Sequence, residues 1–300
     1  PTCGSVVCTR REPLSPLFTA CMLEASQSEP LVVSAFLRLP RSSVKHAYAF
    51  HYTAFQRVLD VPSPYMIFCS QPDCSQLNRT RTTQGHTTEI RQWNLDAVLQ
   101  LLATRLQLDA ALIEQATTKA VHHSHCPSRQ LIQIWLVKPF VVELAMEAHP
   151  TRARFAWVDA AFNHYRVLKE KPPTPPWRAF WPERGLAVRR HPGACHNKLQ
   201  GSNHSACIVA TFKYGTREAW HNFIREYAAV TRQLIVNPSA QKKLCTEQDI
   251  MQTVMSLHPE MFEEFTTSDG WGWKDARKAT VECTGGLVNV ANRCVEDLGV

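Results

Sequence analysis

Three hundred residues with 44% apolar side chains, and 11 glycines against 19 prolines, can fill a sizeable core and exclude a disordered or fibrous chain. The formal charge of +7, from 33 Lys and Arg against 26 acids, favours anionic ligands. No long Lys/Arg block and no basic helix with interleaved aromatics accompanies it, which points to a phosphorylated small molecule rather than a nucleic acid, and no run of 18 apolar residues is present to span a bilayer.

Residues 1–28 mix Pro, Ser, Arg and three cysteines without a sustained period and read as a stem or irregular cap. Leu31 to Leu37 reads as a first strand, followed after Pro40 by a helical stretch from Ser43 to about Leu59. Pro64 to Cys69 is a second strand that ends in a turn, Ser70 to Asp73. From Asn94 to about Ala120, Leu95, Val98, Leu99, Leu102 and Leu106 recur at helical spacing and predict one long helix. The tract His122-His123-Ser124-His125-Cys126 is metal-like in composition, but adjacent ligands point to different sides of a regular element, so it reads as an exposed polar linker.

A helix from about Leu131 to Ala148 leads into the apolar strand Arg154 to Val158, which delivers Asp159 to the edge of a sheet. Ligands of open α/β sheets collect at such strand ends, and a carboxylate there needs a partner; the same residue could equally cap a helix running through Tyr165. Lys169 to Pro176 is a Pro-rich surface loop. Ala206 to Phe212 is a further strand, and Lys213-Tyr214-Gly215-Thr216 is a turn whose Thr216 caps a helix with Ala219, Trp220, Phe223, Ile224, Tyr227 and Ala228 on one face. A last helix begins near Thr246 and carries Glu247, Gln248 and Asp249 in its first turn, a placement that the helix dipole alone accounts for. Strand and helix alternate across the middle of the chain, which favours one α/β domain over residues 29–300.

Eleven cysteines without any Cys-x-x-Cys pair look like scattered disulfides and imply an oxidising compartment. The sequons at Asn78 and Asn203 point the same way and require exposed loops. With a chain that starts at Pro1, these features predict the lumenal part of a membrane-anchored precursor, touching the membrane only through a segment absent from this chain.

In chain order, Val32 to Phe36, Met66-Ile67-Phe68, Lys138-Pro139, Phe155 to Ala161, Tyr214-Gly215 to Trp220, and Glu247-Gln248-Asp249 resemble the HtrL/YibB family of glycosyltransferases. The resemblance spans roughly residues 30–265, and its most specific part is Trp157-Val158-Asp159-Ala160. It implies a GT-A-type α/β fold with a mixed central sheet flanked by helices, a Golgi enzyme, a UDP- or GDP-linked sugar donor, a glycan or glycoprotein acceptor, and Mn²⁺ or Mg²⁺. On the same resemblance Asp159 holds the metal or the sugar hydroxyls, Lys138 faces a phosphate, and Ala35, Phe36 and Trp157 line the donor site. Gly215, Trp220 and Gln248 then line the acceptor or sugar pocket, and Glu247 or Asp249 orients the acceptor hydroxyl or serves as its base.

This sequence departs from the GT-A Asp-x-Asp pattern by carrying Ala161 in the second acidic position, and its glycine-rich turn is thinned to Gly215. A catalytically inactive carbohydrate-binding relative is the alternative from another class.

Overall fold

The computed structural model describes residues 29–40, 48–71, 73–121, 126–160, 175–179, 181–190, 208–267 and 281–282. The proposed stem, the His122–His125 tract, Ala161, the Asn203 sequon and most of the Pro-rich loop lie outside these residues.

The expected α/β architecture is present, with one mixed sheet and helices on both faces. The strands are β1 Leu31–Phe36, β2 Tyr65–Cys69, β3 Thr88–Gln92, β4 Arg154–Val158, β5 Leu186–Arg190, β6 Ile208–Thr216, β7 Phe262–Thr267 and the two-residue β8 Val281–Glu282. They are ordered β3-β2-β1-β4-β6-β5-β7-β8. β1 runs parallel to β2 and β4, whereas β6 is antiparallel to both β4 and β5. The chain leaves β1 for β2 on one side and later returns to lay β4 on the other. The boundary between β1 and β4 is therefore the point where the winding reverses, and a crevice opens outside the carboxyl ends of strands at such a point.

Side-chain alternation builds the two layers. Leu31 and Val33 of β1 and Phe155 and Trp157 of β4 enter one core, while Val32, Phe36, Ala156 and Val158 enter the other. The first core is closed by α3 Leu95–Leu106, α4 Ala110–Lys119, α5 Arg129–Ala148, α6 Arg217–Val236 and α7 Glu247–Leu257. The second is closed by α1 Tyr48–Leu59 and α2 Asp73–Thr83. Central strands covered on both faces read as unbroken apolar runs, which is why β1, β2 and β4 are visible in the sequence.

Several boundaries differ from expectation. The stretch Asn94 to Ala120 is two helices, because Gln107 closes α3 in the left-handed conformation at φ 52° and Asp109 caps α4 by accepting the Ala111 amide at 2.7 Å. That conformation costs a side-chain-bearing residue more than it costs glycine. We expect Gln107→Gly to raise the unfolding free energy by about 0.5–1 kcal/mol in urea titrations. No gain would mean that the Gln107 side chain contributes more than its backbone costs.

The turn that begins at Ser70 leads directly into α2, a helix not read in the sequence, and β3 is a partly exposed edge strand without a sequence signature. Asn78 is exposed, as its sequon requires, but lies on α2 rather than on a loop. Among the described residues two disulfides form, Cys69–Cys74 and Cys126–Cys245. No helix among them is long and apolar enough to cross a membrane.

Candidate functional site

β4 ends at the winding reversal, and its pairing extends one residue past Val158. The Asp159 amide donates to the Thr211 carbonyl at 2.7 Å, and Ser34 Oγ donates to the Val158 carbonyl at 2.7 Å. These bonds hold the Val158–Asp159 peptide unit from both sides, by β6 and by β1. Val33 pairs with Trp157, so continuing the register by two residues sets Ala35 level with Asp159. Residues two apart on a strand share a face. Trp157 accordingly reaches Asp159, its indole Nε1 donating to Oδ1 at 2.7 Å. The helix through Tyr165 that Asp159 could alternatively cap lies outside the described residues.

Lys138 comes from the middle of α5, where Pro139 removes one rung of the helix ladder. Its Nζ lies 2.8 Å from Oδ1 and 2.9 Å from Oδ2 of Asp159, and 2.5 Å from Oε2 of Glu247. Lys213, on β6 directly opposite Trp157, donates to the other oxygen of Glu247 and to the Ala210 carbonyl at 3.2 Å. Together they form a chain, Lys213–Glu247–Lys138–Asp159–Trp157. Side-chain exposure rises along it from 0% at Lys213 through 2% and 7% to 19% at Asp159. Two ammonium groups balance two carboxylates, so the buried cluster carries no net charge.

The two lysines differ electrostatically. Burial works against the charge of Lys138, but Asp159 and Glu247 outweigh it and hold its pKa above the ordinary lysine value. Burial pushes Lys213 below that value, and Glu247 offsets only part of the effect. Asp159 is the most exposed member, at the carboxyl end of β4, with its inner side held by Lys138 and Trp157.

This geometry brings together Asp159, Lys138, Glu247 and Trp157 and reassigns some of them. The three N–H bonds of the Lys138 ammonium group match the three carboxylate oxygens around it, so its contacts here are to Asp159 and Glu247. Glu247 is buried between two ammonium groups rather than presented to solvent. Asp249 completes a cap instead, accepting from Thr246 Oγ1 at 2.8 Å while its amide donates back at 3.3 Å. Gln248 is half-buried on the same first turn. Trp157 is buried and offers its N–H to Asp159 rather than its face to a ligand. Ala35 is half-buried at the crevice edge, whereas Phe36 belongs to the opposite layer, stacked on Phe55 at 5.3 Å between centroids.

Gly215 and Trp220 do not line this site. β6 runs antiparallel to β4, so Gly215 pairs with Phe155 near the amino end of β4, at the edge away from Asp159. Trp220 is fully buried, with its Nε1 donating to the Phe155 carbonyl at 3.1 Å. A Cβ on Gly215 would stand 3.2 Å from both the Gly185 carbonyl oxygen and Leu186 Cδ1, so the glycine serves close packing rather than ligand approach. We expect Gly215→Ala to lower stability by about 1–2 kcal/mol, measured by thermal unfolding, without changing ligand affinity. A folded variant with altered affinity would return Gly215 to the site.

Sequence reasoning missed Lys213, read as part of a turn, although a lysine flanked by Phe212 and Tyr214 in an apolar run signals a buried cation that needs an acid. It also missed a second cluster at the carboxyl ends of β1 and β2. There Arg38 donates to Asp73 Oδ1 at 2.8 Å and lies 4.2 Å from the Tyr48 ring centroid, and Tyr48 Oη donates to the same oxygen at 2.5 Å. Burial, then the bond to Asp73, pushes the Tyr48 hydroxyl up to about 12.

A divalent cation of the kind the resemblance implies takes several oxygen ligands. Among the described residues no three His, Cys, Asp or Glu side chains converge, and Asp159 and Glu247 are already neutralised by ammonium groups. The described residues therefore do not fit such a site.

No family model matches the sequence, and no curated protein matches it. Similar solved structures include the apo form of mouse xyloside xylosyltransferase 1, at 10% identity and TM-score 0.47, covering 78% of this chain and 84% of that one. A glycosyltransferase involved in glycosylation of the major capsid of PBCV-1 is similar at 9% identity and TM-score 0.35, covering 80% of this chain and 82% of that one. Neither likeness assigns a role to any residue of this chain.

Proposed function

We propose that this chain transfers a sugar from a UDP- or GDP-linked donor to a hydroxyl of a glycan or glycoprotein acceptor, in the lumen of the secretory pathway. The observation that carries this reading is Asp159, an oriented and partly exposed carboxylate at the winding reversal of the sheet, inside the most specific segment of the family resemblance. A carboxylate whose inner side is saturated by N–H donors keeps outward lone pairs for hydroxyl groups. Sugar hydroxyls are suitable donors, and two such bonds would fix the ring while the anomeric carbon is attacked. The net charge of +7 suits a phosphorylated donor, and the two disulfides suit an oxidising lumen. A Golgi location and glycan at Asn78 belong to the same proposal.

The test is a thermal-shift screen of nucleotide sugars with and without Mn²⁺ or Mg²⁺, followed by an assay for nucleoside diphosphate release in the presence of glycan acceptors. One donor should stabilise the fold selectively, by about 2.7 kcal/mol at a hundredfold excess over its dissociation constant. The arms without added metal show whether the ammonium-braced site binds donor unaided. Absence of both selective stabilisation and release across UDP- and GDP-sugars would end this reading.

A further inference from the structure

We propose that Lys213 is a positioning residue for Asp159, acting at a distance through Glu247 and Lys138. The inference rests on the reading of Asp159 as the carboxylate of the working site. Its basis is the number of hydrogen bonds available along the chain. The Lys138 ammonium has three N–H bonds, and their acceptors are one oxygen of Glu247 and both oxygens of Asp159. That division holds because Lys213 occupies the other Glu247 oxygen from the opposite side, at a position with no exposure to water.

Without the Lys213 charge, Glu247 would keep a buried oxygen and an uncompensated negative charge. Lys138 is the nearest other cation in contact with it. Its ammonium would turn toward Glu247 and release Asp159, which is the most exposed member and the one able to move outward. Trp157 reports such a change, since its indole N–H is bonded to the Asp159 carboxylate. Lys213 thus sets how tightly the carboxylate at the crevice is held, although it faces neither the crevice nor a ligand.

The experiment is a ¹H–¹⁵N spectrum of the eight tryptophan indoles, recorded on the intact chain without ligand and assigned through Trp157→Phe. It compares wild type, Lys213→Gln, Lys213→Met and the double variant K213M/E247Q. Lys213→Gln keeps an N–H for Glu247 but not the charge, and the spectrum reads the folded fraction alone even where stability is reduced. The Trp157 resonance should move in both single variants and return to its wild-type position in the double variant, which removes the competing anion with the cation. With a donor identified, its dissociation constant should rise about 10–100-fold in the single variants, the range found when a partner supporting a metal ligand is removed, and recover in the double variant.

An unmoved resonance in a folded single variant overturns the proposal, as does a double variant that stays shifted. Failure of every single variant to fold, beside a double variant that folds with the resonance unmoved, would assign Lys213 to stability alone and overturn it too. All of these readouts precede any donor. An inactive wild type therefore counts against the transferase reading, and an unmoved resonance counts against Lys213.

Discussion

Glu247→Gln will unfold about 3–5 kcal/mol more easily than wild type at pH 7, the range for breaking a buried ion pair by removing one partner. Glu247 is the only carboxylate in contact with Lys213 among the described residues, so the neutral amide leaves a cation with no exposure to water beside an uncharged oxygen. The loss should depend on pH in a defined direction. Lys213 already holds its proton less tightly than an ordinary lysine, and losing Glu247 weakens that hold further. A lysine whose folded pKa lies below its unfolded value binds less proton folded than unfolded, so stability rises with pH through that interval. The deficit of the variant should therefore shrink between pH 7 and pH 10. Lys138 acts in the opposite sense and only at higher pH, because its contribution is complete below the ordinary lysine value and is lost as pH climbs through its raised one. Urea titrations at pH 7 and 9.5 with unchanged m-values would measure this. A variant within about 1 kcal/mol of wild type at both pH values would show that the cluster does not behave as a charge-balanced unit.

Asp159→Asn should fold and lose turnover by about 10²–10⁴-fold, the span that one positioned acid–base or electrostatic group contributes. Asparagine preserves the shape and an oxygen for the Trp157 N–H, but it removes the charge that pairs with Lys138 and half of the acceptor capacity offered to the crevice. Because Asp159 is the exposed end of the cluster and Glu247 remains paired with both lysines, the cost to folding should be small. Nucleoside diphosphate release, measured beside the unfolding midpoint, separates the two effects. Release at the wild-type rate would remove Asp159 from the chemistry.

Much of the frame was legible in the sequence because its physics is local. β1, β2 and β4 announce themselves as apolar runs, α6 as an apolar face behind the cap Thr216, and α7 as a helix beginning near Thr246, which proves to be its cap. α2 was not legible, because its inward positions include Asp73 and Arg81, and only the latter's bonds to the carbonyls of Leu59, Val61 and Ser63 explain its burial. The break at Gln107 was hidden because glutamine rarely marks a left-handed residue.

The site was legible residue by residue but not as an assembly. Lys138, Asp159 and Glu247 were each singled out, yet they reach one another from α5, β4 and α7, and no sequence spacing encodes that meeting. Strand direction was equally invisible. Gly215 and Trp220 were placed in the sugar pocket by the resemblance, and the antiparallel course of β6 carries them to the edge away from Asp159.

The bridge between Cys126 and Cys245 also bears on how this assembly arises. Lys138, Asp159 and Lys213 all fall within the 119-residue span it closes, and Glu247 follows two residues after it. Once oxidised, the denatured chain keeps both cations and the crevice acid on a single covalent ring, with their shared counter-ion tethered at its clasp. Collapse then starts from a far smaller set of arrangements than an open chain explores. A host that keeps thiols reduced would yield the same polypeptide with that head start removed.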